Sequence, residues 1–169
     1  METYLKQQQR HEFFGFDWSF YFGDLRIMDA EKNSQVFRPV TLPHDWLMDY
    51  EASGPDPKSG AMNWKYGIGI YRKEFILDRS NEGRIIRLLF DGVYQDASVY
   101  LNGRELGHNF YGYIPFEFNI TQAVRFGEPN VLIVRVDNSR QPNTRWYSGS
   151  GITRDVWLSS LAPVHVATN

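Results

Sequence analysis

Short runs in which apolar and polar residues alternate recur along this chain, and no long amphipathic helix interrupts them. Phe16, Trp18, Phe20 and Phe22 alternate with Asp17, Ser19 and Tyr21, the period of a strand with one buried face. Val36 to Leu42 is a second short extended segment, closed by Pro43. Tyr71, Lys73, Phe75 and Leu77 carry the next alternation, and Arg84 to Phe90, Ala97 to Leu101, Glu105 to Asn109, Phe116 to Ile120, Val131 to Val136, Val156 to Ser160 and Val164 to Ala167 follow. Asn102-Gly103 is a hairpin signal, because both residues tolerate the positive φ of a type I′ turn. Asp91-Gly92 is a second turn former, and Thr121 to Phe126 reads as one helical turn. Nine or ten short strands separated by turns predict an all-β fold, an antiparallel sandwich or jelly roll.

The 169 residues suit one domain, and 42% hydrophobic residues supply one core. Residues 1–13 are expected to form a flexible leading segment, with the sandwich spanning 14–169. Asp49 to Gly69 carries Gly54-Pro55, Pro57 and Gly60, which predicts a long loop of the kind that serves function. With 12 Phe, 10 Tyr and 5 Trp the chain is rich in rings, most of them expected in the core.

Several chemistries fail on these residues. The net charge is −2 with scattered basic residues, so no nucleic-acid partner is expected. Cysteine is absent, which removes disulfides and thiol nucleophiles. His11, His44, His108 and His165 lack ligand spacing, so no metal is expected. No cofactor is expected either, since no Gly-rich loop opens a helix. Around Ser148-Gly149-Ser150-Gly151 there is no nucleophile elbow, and the stretch reads as a sharply bending turn. No apolar run has membrane-spanning length. The polar start leaves the compartment open: cytoplasmic as written, periplasmic if an export signal was trimmed. Asp45, Asp49 and Glu51 form the one acidic cluster in a long loop, yet spacing alone does not make them an acid pair.

What remains is binding. Asn143 to Gly151 joins a forked cation, Arg145, to Trp146 and Tyr147 and to flexible glycines. Arg145 can donate paired hydrogen bonds to vicinal hydroxyls or to a carboxylate, or else pair with an acid of its own domain. Trp146 either offers a ring face to a sugar or plugs the end of the sandwich, the commoner fate of a Trp.

Seven motifs stand in a familiar order: Leu42-Pro43-His44-Asp45-Trp46, Tyr71-Arg72-Lys73-Glu74-Phe75, Phe90-Asp91-Gly92-Val93-Tyr94, Val99-Tyr100-Leu101-Asn102-Gly103, Gly112-Tyr113 with Pro115-Phe116, Arg145 to Ile152, and Val156-Trp157-Leu158. From about Phe14 to Val166 the chain resembles the amino-terminal sugar-binding domain of glycoside hydrolase family 2, especially its bacterial β-galactosidase branch. The resemblance implies a jelly-roll-like, galactose-binding-domain-like β-sandwich. It further implies a place before an immunoglobulin-like domain and a TIM barrel that carries both catalytic glutamates of a retaining enzyme, so no catalytic residue is expected here. The implied ligand is a β-galactoside or related β-glycoside. Arg145 is the first residue the resemblance points to, followed by His44 and Asp45, with Trp146 and Tyr147 beside them. Some family members carry an acid near position 145, where this chain has Thr144-Arg145, so an ionic contact with a barrel carboxylate is an alternative role for Arg145. The same domain also occurs in β-glucuronidases and β-mannosidases, and a stand-alone carbohydrate-binding module is the other alternative.

Overall fold

Ten strands fold into two antiparallel sheets in the computed structural model, which describes residues 10–50, 54, 64–141 and 146–165. In chain order they are β1 (Arg10–Phe13), β2 (Trp18–Phe22), β3 (Arg38–Val40), β4 (Ile68–Ile76), β5 (Ile85–Phe90), β6 (Ala97–Leu101), β7 (Arg104–Asn109), β8 (Phe116–Asn119), β9 (Pro129–Asp137) and β10 (Val156–Leu161). The smaller sheet has the order β1-β10-β5-β8 and the larger β3-β2-β4-β9-β6-β7. The all-β sandwich expected from the alternation is therefore present, with β7 returning from the Asn102-Gly103 hairpin.

Alternation builds the core directly. On β5 every second residue, Ile86, Leu88 and Phe90, is buried, and on β6 Ala97, Val99 and Leu101 are buried likewise. They meet Leu132, Val134 and Val136 of β9, and Trp18, Phe20 and Trp46 complete the same cluster. β4 breaks the pattern because both its faces are covered. Its outer face lies under a six-residue helix, α1 (Ile27–Lys32), whose Ala30 packs on Ile70 and Ile133. Arg72 reaches the same helix, donating from Nε to the Ala30 carbonyl (3.1 Å) and from a terminal nitrogen to that of Glu31 (3.0 Å). These contacts satisfy acceptors that a helix end leaves without partners.

Three expectations shift. Arg10–Phe13, assigned by sequence to a flexible segment, form an edge strand that pairs with β10. Phe16 belongs to no strand and is exposed, because Asp17 takes a left-handed φ of 54° and breaks the alternation before Trp18. Val164 and His165 are not in a strand, and Val166 and Ala167 lie outside the described residues. The turn expected near Thr121 is there as one α-like bond, from the Val124 amide to the Ile120 carbonyl (3.0 Å).

Candidate functional site

The site lies where loops gather beside the starts of β4, β6 and β10. After β3 the chain runs back along residues 150–152: His44 donates its amide to the Ile152 carbonyl (2.8 Å) and Trp46 to that of Ser150 (3.0 Å). On the other side Gly151 and Tyr94 exchange a mutual pair of bonds, 2.7 and 2.8 Å. Gly151 is thus held between two segments, with φ at 119°. A Cβ there would stand 2.0 Å from the Tyr71 hydroxyl and 2.8 Å from the His44 carbonyl, so only glycine fits. Gly149, φ 74°, lets the Asp45 carboxylate come close in the same way. The sharp turn expected of this glycine pair is present, and its cause is the approach of residues from distant parts of the chain.

Neighbouring residues of the Pro-His-Asp-Trp segment reach in different directions. Trp46 is fully buried and donates from Nε1 to the Lys65 carbonyl at 3.0 Å. His44 points at β4, with Nδ1 2.7 Å from the Tyr71 hydroxyl and Nε2 3.0 Å from Asp49 Oδ2. A carboxylate only accepts, so Nε2 carries the proton of the neutral ring and Nδ1 accepts from Tyr71. Burial pushes the His44 pKa down, against the pull of Asp49. Complete burial likewise pushes the Tyr71 hydroxyl well above its usual range. Arg38 closes the series by pairing with Asp49.

Asp45 reaches toward the second loop. Its Oδ1 accepts from the Leu47 amide (3.0 Å), capping the short 3-10 turn Trp46–Asp49, and from the Ser150 amide (2.8 Å). Its Oδ2 accepts from the Tyr147 hydroxyl, whose pKa is raised by desolvation and by this bond. Ser150 is itself buried, and its hydroxyl takes a 2.6 Å bond from Asn138 at the exit of β9. The Tyr147 ring stands edge-on to Trp64, centroids 5.4 Å apart.

Of the residues the sequence singled out, His44, Asp45 and Tyr147 come together here, with Trp146 beside them. Trp146 is 72% exposed, which overturns the plug reading: the ring does not fill the sandwich end. Arg145 and Glu51 lie outside the described residues. Asp45 and Asp49 are each engaged by other groups of the protein and are not arranged as an acid pair. Sequence reasoning passed over Tyr71, Arg38, Trp64 and Tyr94. The last of these meets Tyr113 edge-on, centroids 5.2 Å apart, and carries hydroxyl contacts to Tyr113 and Ser148. The one signal that could have found them is the Gly149-Ser150-Gly151 triplet, whose small residues mark a place where other groups crowd in.

The family model described as "Glycosyl hydrolases family 2, sugar binding domain" matches residues 38–162, which contain both halves of this site. The chain belongs to that family. Among relatives of this glycosyl hydrolase family 2 domain, the β-galactosidase BoGH2A of Bacteroides ovatus is 45% identical over 155 residues, 90% of this chain and 18% of that protein. A putative β-glucuronidase of Formosa agariphila is 34% identical over 169 residues, 98% of this chain and 16% of that protein. A solved glycosyl hydrolase family 2 member from Bacteroides cellulosilyticus superposes with a TM-score of 0.79 at 38% identity, over 91% of this chain and 21% of that one. The chain thus spans about a fifth of the length of the relatives it matches. In them this sandwich is one amino-terminal part of a much longer polypeptide.

Proposed function

We propose that this sandwich is the non-catalytic sugar-binding domain of a retaining β-glycosidase of the β-galactosidase type. Its loop end, in this reading, walls one side of a substrate cleft whose catalytic glutamates sit on a TIM barrel of the same polypeptide, with an immunoglobulin-like domain packed between or beside them. The observation that carries the reading is the exposed Trp146 next to a Tyr147 that is tied down by Asp45, at the end where loops from both halves of the family match meet. A flat ring held beside a cleft can take the C–H face of a pyranose. Arg145, next in sequence, would donate its forked pair of N–H groups to vicinal hydroxyls or to a carboxylate. His44 and Asp45 stand behind this surface and hold it.

A second reading keeps the same wall and changes the sugar. Its ground is that relatives named as a putative β-glucuronidase in Formosa agariphila and as a β-glucuronidase in Bacteroides fragilis share this domain, and a guanidinium at 145 suits a uronate carboxylate. Kinetics of the full-length gene product on nitrophenyl β-galactoside and β-glucuronide test both. Arg145→Ala is expected to lower kcat/KM on the galactoside about 10- to 200-fold, the range for one charge-assisted contact. A loss confined to the glucuronide moves the assignment to the second reading, and unchanged kinetics on both remove Arg145 from the wall. Turnover by the 169-residue chain alone, abolished by replacing one of its own carboxylates, would overturn the non-catalytic assignment.

A further inference from the structure

Asp45 stands within the candidate site, and an acid there invites the reading that it binds sugar. Its geometry points elsewhere. Both oxygens are engaged by the protein: Oδ1 by two amides at 2.8 and 3.0 Å, and Oδ2 by the Tyr147 hydroxyl. Two of these three donors, Ser150 and Tyr147, sit on the loop that bears Trp146, while Leu47 belongs to the turn that begins at Trp46. Gly149 has no side chain to hold that loop away from the carboxylate, from which a Cβ would stand 3.1 Å. The opposite side of the same segment is fixed by His44 on Tyr71 of β4 and by Trp46 on the Lys65 carbonyl, just before that strand begins.

We infer that Asp45 is a positioning residue: it latches the Trp146–Gly151 loop onto the Pro43–Trp46 segment and thereby sets the attitude of the rings at 146 and 147, without itself touching the sugar. This rests on the cleft-wall reading above for its consequence, but the latch can be judged separately. An asparagine at 45 keeps an Oδ1 acceptor for both amides and an Nδ2 donor for the Tyr147 oxygen, so it preserves the latch and loses only the charge. An alanine removes all three bonds.

Two measurements decide the matter. In the 169-residue chain, Asp45→Ala is expected to speed amide exchange at Ser150 and Leu47 by about 10-fold or more, while Asp45→Asn leaves both within about threefold of the parent. In the full-length gene product, Asp45→Ala raises KM by about 10-fold with kcat nearly unchanged, Asp45→Asn restores KM, and adding Tyr147→Phe to Asp45→Ala costs no more than the alanine alone. An asparagine variant as impaired as the alanine, with additive loss from Tyr147→Phe, would place the carboxylate on the substrate and overturn the inference. Unaltered exchange at Ser150 in Asp45→Ala would overturn it as well, whatever the full-length protein does. If the full-length product turns over no glycoside while the exchange pattern holds, the cleft-wall reading falls and the latch stands.

Discussion

His44 condenses what single residues do in this fold. Its ring lies against Phe20 at 4.9 Å and is faced by the Tyr71 hydroxyl, Asp49, Arg38 and, more weakly, Asp45. Burial outweighs the two carboxylates, so the ring resists protonation in the folded state more than in the unfolded one. A depressed histidine pKa means that the unfolded chain takes up its proton first as pH falls. The stability His44 contributes is whole above its ordinary value near 6.5 and is lost as pH drops through the folded value. Urea midpoints should therefore decline from pH 7.5 to pH 5, and His44→Gln should flatten that decline; equal slopes in the two proteins would remove His44 as its source. None of this was legible from the sequence, where His44 stood out as a motif residue and a sugar ligand. Its partner Tyr71 sits on the far side of a long loop, and spacing along a chain carries no information about which hydroxyl faces which ring.

Strands were the most legible elements, for a reason visible in β5 and β6. Each has one face in the core, so the period of two survives in the residues themselves. The reading failed where a second force acted. Polar β1 owes its strand to the edge of β10 that it pairs with, and α1 is too short to show a helical period. The hairpin between β6 and β7 was read correctly, with φ of 52° at Asn102 and 78° at Gly103, but the dipeptide holds more than a turn. The Asn102 amide nitrogen donates to the Ala123 carbonyl and to Asn130 Oδ1, both at 2.9 Å, and its oxygen accepts from the Val131 amide at 3.0 Å. One side chain thus joins the hairpin to β9 and to the turn after β8. Asn102→Ala should cost about 3 kcal/mol in chemical denaturation, from lost bonds, stranded partners and a left-handed φ that alanine resists. A loss under about 1 kcal/mol would mean the backbone turn alone suffices.

Across the molecule, large exposed hydrophobic side chains are unevenly placed. Phe110, Tyr111, Tyr113 and Ile114 follow β7, and Tyr113 is joined through Tyr94 to the loop of Trp146 and Tyr147. Composition revealed the excess of aromatic residues but assigned most of them to the core, because only the fold decides which turns share an end. Apolar surface gathered in this way associates when nothing covers it. The 169-residue chain should show a sedimentation coefficient that rises with concentration, and the pair Phe110→Ser with Trp146→Ser should abolish the rise without changing its far-UV circular dichroism. A parent chain whose coefficient does not change with concentration would contradict this. The opposite face of the larger sheet is covered by α1 and closed by Arg72.

The carboxylate of residue 45 and the amide it accepts from are 105 positions apart. On the ribosome, then, the first half of the candidate site is made long before its counterpart exists. Until Ser150 has left the exit tunnel and β10 has joined its sheet, a nascent polypeptide of this kind cannot close the contact between these two loops.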